Sequence, residues 1–68
     1  MEQFLVVKDA LPLAQFEAET IEAAIERFTN EFQHKELIFR CRKGEVAFFD
    51  TKSKGNFYMV FPRRLENR

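Results

Sequence analysis

The side chains able to do chemistry in this 68-residue chain are one thiol, one imidazole, eleven carboxylates and a set of guanidinium and ammonium groups. A thiol nucleophile needs a base or cation that lowers its pKa. Cys41 sits in "FRCRK", and alternation there assigns it to the core side of a strand, where a thiol is usually inert. His34 follows a helical pattern and reads as a cap on the last carbonyls. One cysteine and one histidine fall short of the four ligands of a closed zinc site, and one cysteine makes no internal disulfide. Ser53 lies in a turn between Lys52 and Lys54, with no base beside it. The carboxylates fall on alternating or helical outer faces, and no pair is marked as a desolvated acid and base. Gly44 and Gly55 alone make neither a phosphate loop nor a dinucleotide fingerprint. The residues therefore point to binding, with no catalytic, cofactor or metal role assigned and no small-molecule substrate expected.

Arg40, Arg42, Lys43, Lys52, Lys54, Arg63 and Arg64 lie on or beside a strand-rich region that also carries Phe49 and Tyr58. Such rings can stack on bases, and Lys52 and Lys54 at a loop tip can reach phosphates, which is how many single-strand binders work. The net charge of zero is not the basic balance of a dedicated nucleic-acid domain. Aromatic rings beside arginines are equally the composition of protein interface hot spots.

Charge is segregated along the chain. Residues 1–34 carry two cations against seven carboxylates (−5), and residues 35–68 carry nine cations against four carboxylates (+5). Glu17, Glu19, Glu22 and Glu26, with Glu31, offer an anionic surface to a basic partner, as in a protein that occludes a nucleic-acid groove. The other readings are a solvated face, or two halves that neutralise each other across the fold.

These residues need a scaffold, and 68 residues make one domain, here residues 1–62 with a basic tail at 63–68. A single core of this size supplies only about 3–5 kcal/mol, so small domains lean on disulfides, metals, oligomers or dense aromatic packing. Nine phenylalanines fit the last option, and self-association is the alternative. No secretory signal is visible, and no apolar run approaches the roughly 20 residues of a membrane span. With the unpaired thiol, this gives a cytoplasmic expectation and no membrane partner.

"QFLVVK" (3–8) reads as a strand, broken at "DALPL" by Pro12. "AQFEAE" (14–19) alternates as a half-buried strand. In "TIEAAIERFTNEF", Ile21, Ala24, Ile25, Phe28 and Phe32 share one helical face, Thr20 is the N-cap, and Glu22 suits the helix dipole. A rival parse opens one long helix at Pro12, but Phe16 falls off its apolar stripe, so strand then helix is preferred.

The C-terminal half reads as a β-meander. A two-residue Lys43-Gly44 loop sets Arg42 opposite Glu45 and Phe39 opposite Phe48, and a "KSKG" turn pairs Phe48 with Met59. Leu37, Phe39, Cys41, Val46, Phe48, Phe57, Met59 and Phe61 then form the core face under the helix. Ile38, Arg40, Arg42, Glu45, Ala47, Phe49, Tyr58 and Val60 form the outer face. Pro62 ends the last strand, and "RRLENR" reads as a frayed tail. A sheet face left in water normally reads polar, and the Ile38–Phe49–Tyr58 row does not, so something should cover it.

The expected fold is α+β: an antiparallel sheet of four or five strands with one amphipathic helix on one face, in the order β-β-α-β-β-β. The expected partner-binding residues are Ile38, Arg40, Arg42, Phe49, Tyr58, Lys52 and Lys54. A protein partner comes first, single-stranded nucleic acid second, and a homodimer third. In size, single cysteine and α+β pattern, the chain resembles the short proteins encoded by phages and mobile elements. Some of those are anti-defence inhibitors, anti-CRISPRs among them. This resemblance of style, tied to no motif, implies an inhibitor that blocks its protein partner.

Overall fold

The computed structural model describes residues 1–31, 36–52 and 56–66. Its elements are β1 (Glu2–Lys8), β2 (Leu11–Ala18), α1 (Ile21–Glu31), β3 (Leu37–Lys43), β4 (Val46–Thr51) and β5 (Phe57–Pro62). The strands form one antiparallel sheet in the order β2-β1-β5-β4-β3. The α+β architecture expected from the sequence is the one observed, with strand then helix between residues 11 and 31. Phe32 and His34 lie outside the described residues, as do Ser53, Lys54 and Gly55 of the "KSKG" turn.

Local chemistry sets the element ends. The Thr20 hydroxyl accepts from the Ala23 N–H at 3.1 Å, satisfying one of the donors a helix leaves open at its N-terminus. The β1–β2 link is tighter than "DALPL" suggests, because Lys8 already faces Leu11. Only Asp9 and Ala10 form the loop, at φ 51° and 72°. Two positive φ values in a two-residue hairpin match the type I′ turn. Val6 faces Ala14 while Val7 faces Pro12, so β2 bulges at Leu13. Pro12 is tolerated there because β2 is an edge strand.

One core lies between α1 and the sheet. Phe4 and Val6 of β1, Phe16 and Ala18 of β2, Ala47 and Phe49 of β4, and Tyr58 and Val60 of β5 bury against Ile21, Ala24 and Phe28. The Phe28 ring meets Phe49 edge-on at 4.8 Å and Tyr58 at 5.7 Å. Small residues at Ala18, Ala24 and Ala47 let the helix approach the sheet closely, as dense packing requires.

On β4 and β5 the assignment of faces is the reverse of the sequence expectation, and Ala47 and Val60, expected outside, have no exposure. Phe49 and Tyr58, expected outside, are buried at 1% and 2% exposure beneath the helix. Phe48, Met59 and Phe61, expected in the core, lie on the opposite face and are only half-buried. The β4–β5 register is as expected, with Phe48 facing Met59 and Phe49 facing Tyr58. Which face the helix takes was decided by where it fits. The helix side carries Phe4, Phe16, Phe49 and Tyr58, and its small residues Ala18 and Ala47 give α1 room between them.

The β3–β4 register also differs. Lys43 faces Val46, so the loop is Gly44-Glu45, one residue later than expected. Gly44, at φ 61°, takes the first loop position, where a type II′ turn favours glycine. Arg42 consequently faces Ala47, not Glu45. A bulge at Arg40 then shifts the pairing, so that Cys41 faces Phe48 while Phe39 faces Phe49. Phe39 and Leu37 thereby turn to the helix side, with the Phe39 ring 5.5 Å from Phe49. Cys41 is exposed, not buried as expected.

Topology puts α1 over one face of the sheet only. The links β1–β2, β3–β4 and β4–β5 join neighbouring strands, and β2 and β3 lie at opposite edges. The chain crosses the sheet between those two edges, and α1 makes its crossing over one face. Residues 63–66, expected to fray, include a 3-10 turn at Arg63–Leu65 that lies against β1.

Candidate functional site

The face away from α1 is built by alternation from all five strands. Its central row runs Pro12, Val7, Met59, Phe48 and Cys41. The row on one side runs Gln15, Leu5 and Phe61, with Val46 and Lys43 continuing it on β4 and β3. The row on the other side holds Phe57, Asp50 and Ile38. The Phe48 and Phe57 rings stack at 5.9 Å between centroids, and Phe57 is 43% exposed. Val7, Val46, Phe48, Met59 and Phe61 are half-buried, Leu5 beside them is buried, and α1 lies on the opposite face. With strands about 4.8 Å apart and about 3.3 Å per residue, this face spans roughly 24 by 20 Å.

Polar groups are confined to its borders. On the β2 side, Gln15 Nε2 donates to Gln3 Oε1 and Gln3 Nε2 donates to Glu17 Oε2, each at 2.9 Å. On the β3 side stand Lys43 and the Arg40–Asp50 ion pair at 3.2 Å. An apolar centre inside a polar rim is the anatomy of a protein interface.

Arg40, Arg42 and Arg64, among the cations singled out in the sequence, are ion-paired. Arg42 pairs with Glu22 on the helix and donates from Nε to the Gly44 carbonyl at 2.8 Å. Arg64 bridges Glu2 and Glu45. Arg27 pairs with Glu31 at 2.9 Å and donates to the Glu17 carbonyl at 2.9 Å. The acidic and basic halves thus meet directly at Arg42–Glu22 and Arg64–Glu2. The Arg42 guanidinium holds the Glu22 carboxyl below its ordinary range. The Thr51 N–H, then Arg40, does the same for Asp50. Glu45 and Glu2 raise the pKa of Arg64 further.

The seven expected partner residues do not form one surface. Phe49 and Tyr58 are core, and Arg42 lies on the helix side. Ile38 and Arg40 border the open face, Lys52 is exposed after β4, and Lys54 lies outside the described residues. The acidic set is dispersed too: Glu17 is on the open face, Glu19 is in the β2–α1 link, and Glu22 and Glu26 are on the helix. The open-face residues Val7, Val46, Phe48, Phe57, Met59 and Phe61 were not in the expected partner set. The signal for them was the set of alanines on the opposite face, which marks where a helix can sit.

Comparison of the chain with protein-family models, curated proteins and solved structures gives no match. Among the described residues no helix is long and apolar enough to cross a membrane.

Proposed function

We propose that this chain is a binding protein, not an enzyme, and that it docks onto a protein surface through the open face of its sheet. The observation that carries the reading is the Val7, Val46, Phe48, Phe57, Met59 and Phe61 layer, which lies on the face away from the helix and keeps part of its apolar surface exposed. Aromatic rings and methionine are enriched at the cores of interfaces, and charge is depleted there, as on this face. Antiparallel sheets with one solvated face normally alternate to polar residues on that side, and this one does not. Nucleic-acid contact is less well supported. The two rings assigned to base stacking lie in the core, and Arg40, Arg42 and Arg64 are paired with carboxylates.

The test combines apolar-dye binding by the native chain and Met59→Lys with anisotropy of a labelled single-stranded oligonucleotide. At submicromolar protein, native chain should bind the dye and folded Met59→Lys should bind it several-fold less. The oligonucleotide should stay unbound at low and moderate salt. Equal dye binding by both proteins contradicts the face. Oligonucleotide binding that weakens steeply with salt replaces the protein partner with a polyanion.

A further inference from the structure

We infer that the occupant of the open face is a second copy of this chain, the two sheets packing face to face around a two-fold axis parallel to the strands. The inference rests on reading that face as a docking surface. It adds the identity of the partner.

The edges of the sheet argue against strand addition. β2 carries Pro12 and a bulge at Leu13, and β3 carries a bulge at Arg40 among three cationic side chains. Proline, bulges and charge are the devices that keep edge strands from pairing with other chains. The face has no such device at its centre.

Area is sufficient. Roughly 24 by 20 Å is about 480 Å² in projection, so two copies bury about 1,000 Å² before side-chain relief is counted. A specific interface needs about that much. Sheets stacked in this way sit about 10 Å apart and fill the gap with interdigitated side chains. Phe48, Phe57, Met59 and Phe61 are long enough to do so.

Charge is self-complementary. Glu17 and Gln15 border the face at the β2 edge, and Lys43 borders it at the β3 edge, in adjacent rows. A two-fold axis along the strands lays the β3 edge of each copy over the β2 edge of the other. Each Lys43 then meets the acidic corner of its partner copy. The chain has zero net charge, so two copies do not repel each other. The contact is isologous and closes on itself, and it gives a small core the second layer it lacks.

Cys41 is a built-in reporter, because it is exposed and faces Phe48 on this layer. The experiment is sedimentation velocity from submicromolar to about 100 μM, with the rate of Cys41 modification by an aromatic disulfide reagent over the same range. Native chain, Met59→Lys and Phe57→Lys are compared, each checked for folding by circular dichroism. Phe57 is the more exposed position and serves if Met59→Lys does not fold. The inference predicts a native dimer, Cys41 modification at least tenfold slower at high concentration, and folded monomeric variants whose thiol rate is independent of concentration. A native monomer with a fast thiol and with dye binding that Met59→Lys reduces overturns the second copy and leaves the docking face standing. A native monomer with a slow thiol and no dye binding overturns both. A dimer that survives in both folded variants overturns the face as its interface.

Discussion

Ala10 holds φ at 72°, where the β-carbon crowds the neighbouring backbone and costs about 1–2 kcal/mol. Glycine removes that crowding but is freer in the unfolded chain, which takes back about 0.5–1 kcal/mol. Ala10→Gly should therefore raise stability by about 0.5–1 kcal/mol in urea denaturation, and a lower midpoint would mean the hairpin does not hold this turn. Phe28 is the opposite case, with no exposure and with ring contacts to Phe49 and Tyr58. Truncating a buried phenylalanine costs about 3–5 kcal/mol, as much as a domain of this size has to lose. Phe28→Ala should thus lack a cooperative thermal transition, and a native-like melt would place Phe28 outside the core. Single residues were legible where their chemistry is local. Thr20 as a cap could be read from its type and position. Cys41 could not, since its exposure depends on which side of the sheet the helix takes.

Elements were legible wherever a period ran long enough. The 3–4 spacing of Ile21, Ala24, Ile25 and Phe28 marked the helix, and Ala14, Phe16 and Ala18 marked a strand. The register of β3 was not legible, because a bulge leaves no mark in residue type. Arg40 looks like one more alternating residue, yet its bulge parts Phe39 and Leu37 from Phe48, with which they were expected to share a face. The turn was misplaced by one residue because a two-residue loop accepts glycine in either position, with different turn types. At this scale, loss of the Thr20 cap is the simplest check. Thr20→Ala should lower stability by about 1 kcal/mol in urea without changing the sheet, and an unchanged midpoint would show that the helix starts elsewhere.

The whole molecule is one sheet with a helix on one side, and its charges cancel across the fold. Because Glu22 and Asp50 titrate below their ordinary range in the folded state, their contribution is present above about pH 4 and fades as pH falls through their folded values. Acid titration of thermal stability should decline below about pH 4. The decline should be shallower in a Glu22→Gln, Asp50→Asn double variant, and identical curves would mean those pairs do not form in solution. The partition of residues into two faces was legible from alternation on β4 and β5. The choice of which face lies inside was not, because both are apolar. Phe48 and Phe49 are neighbours in sequence and lie on opposite sides of the sheet. The decisive measurement is therefore the far-ultraviolet circular dichroism and thermal melt of Phe48→Asp beside Phe49→Asp. Phe48→Asp should remain folded with a cooperative melt, because its carboxylate points away from the helix. Phe49→Asp should be unfolded, because its carboxylate would be buried without a partner. A folded Phe49→Asp with an unfolded Phe48→Asp would put the helix on the other face and remove the docking surface.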